Sequence, residues 1–210
     1  MAIEAVLVDL DETLYQAGDA IIRTVDRRIT AFIAQHTGMP WRSADRLRVE
    51  LWAEFGTTAR GLNYLFDISE RDVNRFAVDA VDPTRHVKPD PALAHHLGRI
   101  PTPLYVFTNA TRRYAERVLE TLGVRRHFRR IFAIEFSLYN PKPSPIYYER
   151  VARELALPPQ CIALVDDTPP NLEPGLAMGM RCVCVGDRGS VAPGVTRVPS
   201  FAAVPDALGF

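Results

Sequence analysis

Short apolar runs recur along the chain, and a segment of helical character follows each of them. The runs at residues 6–8, 104–107 and 161–165 are rich in aliphatic and β-branched side chains and are too short for helices. Such runs are typical of strands that are buried on both faces of a parallel sheet. Their alternation with helices predicts an α/β fold with a doubly wound, Rossmann-like parallel sheet. In that fold the reactive groups gather at the carboxyl ends of the strands.

The stretch between the first two strands departs from this alternation. Apolar residues at helical spacing predict three helices there: one that Gly38 ends, one over residues 43–55, and one that follows Ser69. We therefore expect a helical cap over residues 16–86, inserted into an α/β core of residues 1–15 and 87–210. Further strands are predicted at 131–136, at 181–185 and near Val198, and further helices at 92–97, 111–122, 144–156, 170–178 and near Pro205.

Composition and charge disfavour several classes of partner. Lys plus Arg and Asp plus Glu number 25 each, so no overall field attracts a nucleic acid polymer or a membrane surface. No apolar run approaches a membrane span, and residues 1–4 lead into the first strand without a signal-like pattern. The three cysteines are odd in number and lack metal-type spacing, which indicates buried thiols. We expect a cytoplasmic protein.

The first strand ends on two acids, Asp9 and Asp11. If the backbone stays extended through Leu10, side-chain alternation points both carboxylates the same way and Leu10 into the core. Like charges at this spacing are unfavourable unless a proton or a cation lies between them. Mg²⁺ suits the position, because it takes carboxylate oxygens and keeps ligand positions for a phosphate. Two other strands also end on polar residues, which are Thr108 with Asn109 and Asp166 with Asp167.

Each of these residues taken alone has a simpler interpretation. Residues 11–13 could form an ordinary turn, and Thr108 could cap the helix that follows it. Lys142 could be an exposed loop lysine, and residues 166–167 could cap the next helix. Their order, and their shared position at strand ends, favour a functional site over four separate coincidences.

The ordered set resembles the four motifs of the haloacid dehalogenase superfamily. The matching residues are Asp9-Leu10-Asp11-Glu12-Thr13, Thr108, Lys142 and Asp166-Asp167, and the resemblance spans about residues 3–186. The helical insertion is similar to the small cap of that family. Residues 55–62 and 107–110 are similar to its pyrimidine 5′-nucleotidase branch.

The resemblance implies a role for each motif. Asp9 would attack phosphorus and form an aspartyl-phosphate, and Asp11 would act as the acid and then the base. Thr108 would hydrogen-bond a phosphoryl oxygen, assisted by the amides around Asn109 and Ala110. Lys142 would neutralise the nucleophile and the transferring group.

The resemblance also implies a Mg²⁺ site. Its ligands would be the Asp9 carboxylate, the Asp11 backbone carbonyl and Asp167, and Asp166 would bind or support the ion. Asn171 stands where the family often has another acid, which suggests that it contacts a metal-binding residue and not the metal itself.

A phosphatase is the expected activity. A halide leaving group needs no proton donor, whereas an alkoxide does, so Asp11 favours phosphate-ester hydrolysis over dehalogenation; a phosphomutase stays open. The resemblance favours a pyrimidine nucleoside 5′-monophosphatase. Phosphoglycolate, a sugar phosphate or a non-catalytic phosphate-binding role are the alternatives.

Contacts to the substrate beyond its phosphate are expected from the cap. The candidates are Arg60, Asn63 and Tyr64, with Tyr15 beside the hinge, although these residues could equally form a packing surface. The expected partner is a small phosphomonoester, and the expected state is a monomer or a homodimer.

Overall fold

The computed structural model describes residues 2–210, which form two compact units. The α/β unit comprises the described residues up to Gln16 together with Val87–Phe210, and the helical unit comprises Ala17–His86.

The helical unit contains four helices, where we predicted three. They are α1 (Asp19–Thr37), α2 (Trp41–Phe55), α3 (Thr58–Phe66) and α4 (Glu70–Ala77). The prediction missed α3 because glycines at 56 and 61 flank and interrupt it. Thr57 starts this helix by accepting a hydrogen bond from the Arg60 amide at 3.1 Å. Gly61 lets α3 approach α2 closely, since a Cβ there would lie 2.8 Å from Leu51 Cδ2.

The α/β unit is built on one parallel sheet of six strands in the order β3-β2-β1-β4-β5-β6. The strands are β1 (Ala5–Val8), β2 (Leu104–Phe107), β3 (Phe128–Phe132), β4 (Ile162–Asp166), β5 (Arg181–Val185) and β6 (Thr196–Val198). β1 is central and fully buried, and Val8 pairs with Val106 on one side and Val165 on the other. The strand order reverses here, so the carboxyl ends of β1, β2 and β4 border one crevice. The predicted fold class is confirmed.

Local signals in the sequence fix the helices of this unit. They are α5 (Pro91–Gly98), α6 (Arg112–Leu122), α7 (Pro145–Leu155), α8 (Pro169–Ala177) and α9 (Val204–Leu208). Thr111 caps α6 by accepting a hydrogen bond from the Tyr114 amide, and Gly123 ends it with a left-handed backbone. No helix among residues 2–210 combines the length and the apolar character that crossing a membrane requires.

The third strand begins three residues earlier than predicted. It covers Phe128–Phe132, and Ile134–Ser137 forms a 3₁₀ turn. The prediction followed the apolar run at 131–136. β3 is an edge strand, however, and such a strand can hold the polar side chains of Arg129 and Arg130.

Candidate active site

The carboxyl ends of β1 and β4 meet at one buried lysine. Lys142 Nζ donates hydrogen bonds to Asp9 Oδ1 and to Asp166 Oδ2, each at 2.7 Å. It donates a third to the Phe107 carbonyl at 2.8 Å, which ties it to the end of β2 as well. Lys142 is 4% exposed, so the alternative of a solvated loop lysine is wrong. One cation therefore joins three strand ends.

Burial and charge act in opposite directions on this group. Burial lowers the pKa of Lys142, but the adjacent carboxylates of Asp166 and Asp9 more than offset it, so the pKa lies above its ordinary value. Burial raises the pKa of Asp9 well above its ordinary value, and Lys142 opposes that shift. Lys142 thus stays charged and favours the ionised form of Asp9.

The loop that carries Lys142 is held by the residue after Thr108. The Lys142 amide donates to Asn109 Oδ1 at 2.7 Å, and Asn109 Nδ2 donates to the Lys142 carbonyl at 3.0 Å. The Lys142–Pro143 peptide bond is cis. The Asn109 side chain is thus engaged with the lysine loop, and the contact of the backbone amides around Asn109 with a substrate stays a prediction.

Asp166 is a fully buried acid whose two oxygens are well supplied with donors. Its Oδ1 accepts from the Thr168 amide at 2.8 Å and from Asn171 Nδ2 at 3.1 Å. Its Oδ2 accepts from Lys142, and Asn171 Nδ2 lies 3.3 Å away. Asn171 therefore holds the Asp166 carboxylate in place, as its position in the sequence suggested. The bond from the Thr168 amide lies before the first residue of α8, and no side-chain hydrogen bond caps that helix, so the simpler capping interpretation does not hold.

Asp167 has longer and weaker contacts than Asp166. Thr13 Oγ1 lies 3.4 Å from Asp167 Oδ1 and 3.5 Å from Asp9 Oδ2, and Arg188 Nη1 lies 3.4 Å from Asp167 Oδ2. Burial and the neighbouring Asp166 raise the pKa of Asp167 to about 6, against the opposing charge of Arg188. Its side-chain contacts are longer than those that Lys142 makes with Asp9 and Asp166.

Thr108 is buried at the end of β2, next to the residue whose carbonyl binds Lys142. Its Oγ1 accepts a hydrogen bond from the Ala110 amide at 3.0 Å. Thr111, and not Thr108, caps α6, so the helix-cap interpretation of Thr108 is wrong. The Ala110 amide, expected to help bind phosphate, bonds to the Thr108 hydroxyl here, and its contact with a phosphate stays a prediction.

Asp11 does not extend β1. The strand ends at Val8, and a turn at residues 11–15 carries the chain away, while Leu10 is buried as expected. The two carboxylates therefore have different partners: Asp9 contacts Lys142, whereas Asp11 Oδ1 accepts from the hydroxyl of Tyr15 and lies 3.3 Å from that of Tyr114. Burial raises the pKa of Asp11, and both tyrosine hydrogen bonds oppose this. Tyr15, expected to contact the substrate, binds Asp11.

The other three candidates for substrate contacts lie on α3 of the helical unit. Asn63 Nδ2 donates to the Ile68 carbonyl at 3.2 Å, and Tyr64 is 76% exposed with its ring 5.4 Å from that of Phe55. Arg60 is partly buried, and its charge opposes the burial that raises the pKa of Glu70. A role for Arg60, Asn63 and Tyr64 toward a substrate stays a prediction.

The acids of the α/β unit fit a divalent cation. Ligand oxygens of Asp9, Asp166 and Asp167 lie within 4.8 Å of one another, and all three residues are buried. Among the described residues, Lys142 and the more distant Arg188 are the cations that contact these three buried carboxylates, so net negative charge is left for a metal ion. Because Asp166 is saturated with donors, Asp9 and Asp167 are the side chains with oxygens to offer. Hard carboxylate oxygens of this kind suit Mg²⁺.

Three residues at the site were not identified as functional from the sequence. Thr13 lies inside the first motif, and its threonine side chain is typical of a turn residue. Tyr114 falls on the apolar stripe of α6 and looks like a core residue. Arg188 lies in the Gly- and Pro-rich tail, where no pattern indicated that it would contact both Asp167 and Glu12.

A comparison with protein families decides which class this site belongs to. The model of the haloacid dehalogenase-like hydrolases matches residues 3–179. The chain belongs to that family. The predicted resemblance to this superfamily is therefore confirmed, whereas its pyrimidine nucleotidase branch stays a prediction.

Individual relatives show how far the similarity extends. Phosphate metabolism protein 8 of Saccharomyces cerevisiae is 26% identical over 190 residues, which cover 82% of this chain. The chain spans only 58% of the length of that yeast protein.

Solved structures share the fold over nearly the whole chain. CbbY from Rhodobacter sphaeroides in complex with phosphate is 22% identical, with a TM-score of 0.70 over 99% of this chain and 100% of that one. A mutant form of the same protein has been seen with xylulose-(1,5)bisphosphate. YfnB from Bacillus subtilis, bound to magnesium, is 14% identical, with a TM-score of 0.65 over 100% of both chains.

Proposed function

We propose that this hydrolase is a Mg²⁺-dependent phosphomonoesterase that works through an aspartyl-phosphate on Asp9. The observation that carries the proposal is the buried pair of Lys142 Nζ and Asp9 Oδ1, 2.7 Å apart, with Asp11 held nearby by different partners. A nucleophilic carboxylate must be ionised, and Lys142 favours the ionised form of Asp9 against the burial that raises its pKa. The acid–base group must be able to carry a proton, and burial raises the pKa of Asp11 toward that state.

Two displacements at phosphorus complete the reaction. In the first, an Asp9 oxygen forms a bond to phosphorus and the bond to the ester oxygen breaks, while Asp11 gives its proton to that oxygen. In the second, Asp11 takes a proton from water, the water oxygen bonds to phosphorus, and the Asp9–phosphorus bond breaks. The products are an alcohol and inorganic phosphate, and Asp11 is protonated again at the end of the second step.

Three other side chains support these steps. Lys142 offsets negative charge on Asp9 and on the transferring group, in a buried place where a point charge acts strongly. Thr108, at the end of β2, offers its hydroxyl to a phosphoryl oxygen. Asp9 and Asp167, with the Asp11 carbonyl, would hold Mg²⁺, with Asp166 in support; the ion would neutralise the carboxylates and the phosphoryl oxygens when bound. Magnesium in YfnB and phosphate in CbbY support this assignment.

The proposed substrate is a pyrimidine nucleoside 5′-monophosphate. The support is the likeness of residues 55–62 and 107–110 to that branch of the family, which gives Arg60, Asn63 and Tyr64 a place in recognition. The similarity to a yeast protein named for phosphate metabolism is in keeping with it. A sugar phosphate is the second candidate, because CbbY binds xylulose-(1,5)bisphosphate on the same fold. We expect the protein to act in the cytoplasm on a small molecule.

Phosphate release from a panel of esters tests both levels of the proposal. The panel comprises UMP, CMP, AMP, GMP, phosphoglycolate and several sugar phosphates, each with Mg²⁺ present. We expect UMP and CMP to have the highest kcat/KM. Equal rates on all nucleotides and sugar phosphates would remove the pyrimidine preference and leave the phosphatase standing.

The Asp9→Asn variant is the matched control for the chemistry. It keeps the size of the side chain and removes the nucleophile, so it should release no phosphate. Acid-quenched wild-type protein should carry a phosphoryl group on the peptide that contains Asp9, and the variant should not. Full activity in the variant would show that a contaminating phosphatase was being measured.

A further inference from the structure

Two tyrosine hydroxyls bind one oxygen of the Asp11 carboxylate. The Tyr15 hydroxyl donates to Asp11 Oδ1, and the Tyr114 hydroxyl lies 3.3 Å from the same oxygen. The two hydroxyl oxygens are themselves 3.0 Å apart. Among the described residues, every hydrogen bond to this carboxylate falls on Oδ1. The three groups thus form a closed triangle, and Oδ2 accepts no hydrogen bond from the described residues.

The two tyrosines reach Asp11 from separate elements. Tyr15 closes the turn that begins at Asp11 itself, so its position follows from the local backbone. Tyr114 lies in the first turn of α6, is 2% exposed, and its amide is held by Thr111 Oγ1 at 3.2 Å. One contact is therefore local, and the other comes from a helix that is fixed in the core. Together they restrict the rotation of a carboxylate that β1 no longer holds.

Both hydroxyls keep their protons. Burial, and then the charge of Asp11, raises the pKa of Tyr15 and of Tyr114 far above the ordinary value. Each hydroxyl has a single proton to donate. Tyr15 gives its proton to Asp11, and Tyr114 can give its own proton either to Asp11 Oδ1 or to the Tyr15 oxygen. In either arrangement the hydrogen bonds end on Oδ1.

We propose that Tyr15 and Tyr114 are positioning residues for Asp11, which clamp Oδ1 so that Oδ2 meets the ester oxygen of the substrate. The inference rests on the proposed function, in which Asp11 protonates the leaving group. It assigns to the two tyrosines no proton transfer of their own. Their effect should therefore depend on how much the leaving group needs a proton.

Two substrates separate this role from a merely structural one. β-Glycerophosphate releases an alkoxide, which needs a proton, whereas p-nitrophenyl phosphate releases a stable phenolate, which does not. The value of kcat/KM reports the steps up to the first phosphoryl transfer, in which the leaving group departs. Neither ester is a nucleotide, so the test does not depend on the proposed pyrimidine preference.

The variants are Tyr15→Phe, Tyr114→Phe and the double variant. Each keeps the aromatic ring and removes only the hydroxyl. We expect kcat/KM for β-glycerophosphate to fall about 10- to 100-fold, because misplacing Asp11 removes part of the rate enhancement that a positioned general acid supplies. We expect kcat/KM for p-nitrophenyl phosphate to fall by less than about threefold. The double variant should lose little more than the worse single variant, because the hydroxyls act as one unit.

Tyr105→Phe is the matched control. This tyrosine lies on β2 of the same unit, where its ring packs against Phe132. Removing its hydroxyl should leave both kcat/KM values unchanged. Tyr15 is only partly buried, so Tyr15→Phe decides the question even if Tyr114→Phe fails to fold.

Equal losses on both esters, or no loss on either, would overturn the positioning role. Failure of the proposed function looks different: the wild-type protein would then release phosphate neither from these two esters nor from the panel of nucleotides and sugar phosphates. A loss confined to p-nitrophenyl phosphate would also contradict the inference, because that ester makes the smaller demand on Asp11.

Discussion

Asn109 and Lys142 exchange two hydrogen bonds between the side chain of one and the backbone of the other. The Lys142 amide donates to Asn109 Oδ1 at 2.7 Å, and Asn109 Nδ2 donates to the Lys142 carbonyl at 3.0 Å. The pair spans 33 residues of sequence and joins the end of β2 to the loop before α7. The lysine thus depends on Asn109 for the place from which it reaches Asp9.

Replacing Asn109 should therefore impair both stability and activity. In Asn109→Ala both hydrogen bonds are lost, which should cost about 1–3 kcal/mol of unfolding free energy. We expect kcat to fall about tenfold or more, because a misplaced Lys142 no longer offsets charge at Asp9. Steady-state kinetics and urea unfolding measure the two effects.

Asn74→Ala serves as the control for that substitution. Asn74 Nδ2 also donates to a backbone carbonyl, that of Glu70 at 2.9 Å, but it lies in α4 of the helical unit. Its loss should lower stability slightly and leave kcat unchanged. Equal kinetic effects of the two substitutions would contradict the role given to Asn109.

Removing the buried ammonium group should destabilise the chelator-treated protein strongly. Lys142→Met leaves Asp9 and Asp166 without their shared cation, and breaking a buried pair in this way costs about 3–5 kcal/mol. Adding Asp166→Asn to this variant should recover part of the loss, because one of the two uncompensated acids is then neutral. A double-mutant cycle by urea unfolding tests the coupling, and simple additivity of the two effects would exclude it.

Much of this site could be predicted because its residues stand directly at strand ends. Asp9, Thr108 and Asp166 each follow a short buried strand, and the topology of a parallel sheet brings such positions together. Lys142 is far from any strand end in the sequence, and only its resemblance to a family motif indicated that it would neutralise Asp9. Once the order of the motifs is accepted, the fold class and the pairing of Lys142 with Asp9 follow.

The remaining contacts depend on tertiary packing that no local pattern records. Tyr114 occupies a helical stripe position that any apolar residue could fill, and its hydroxyl becomes significant only because Asp11 turns away from β1. Arg188 reaches Asp167 because Arg197 holds its loop through the carbonyls of residues 186, 188 and 189. The missed α3 shows the same limit, since Gly61 weakens the helical signal and yet permits close packing on Leu51.

Magnesium should stabilise the protein through Asp167 more than through Asp166. The Asp166 oxygens already accept bonds from Lys142, Thr168 and Asn171, whereas the contacts to Asp167 are 3.4 Å long. At about 100 times its dissociation constant, the ion should add about 2.7 kcal/mol of unfolding free energy. Thermal melting with Mg²⁺ and with a chelator measures the shift, and hydrolysis should stop in the chelator.

The paired variants Asp167→Asn and Asp166→Asn test that assignment. The first should abolish the Mg²⁺-induced rise in melting temperature, and the second should only reduce it. A rise that persists in Asp167→Asn and vanishes in Asp166→Asn would reverse the roles of the two acids. Full hydrolysis in the presence of chelator would refute the metal requirement.

Two helical glycines of the α/β unit should respond oppositely to the same substitution. A Cβ at Gly175 in α8 would lie 2.7 Å from Leu164 Cδ2 and 3.3 Å from Met180 Sδ, whereas one at Gly98 in α5 would meet nothing within 4 Å. Gly175→Ala should therefore cost about 1–3 kcal/mol through overpacking. Gly98→Ala should stabilise the protein by up to about 1 kcal/mol, because alanine loses less chain entropy on folding.

The Gly175 substitution should also affect the active site. α8 carries Asn171, whose amide holds Asp166, so a helix displaced from β4 moves that amide away from its carboxylate. We expect kcat to fall several-fold in Gly175→Ala and to stay at the wild-type value in Gly98→Ala, with stability followed by urea unfolding and activity by phosphate release. If Gly175→Ala were as stable as Gly98→Ala, the Leu164 side chain would move aside without loss of stability. If it were also as active, the position of Asp166 would not depend on the packing of α8 against β4.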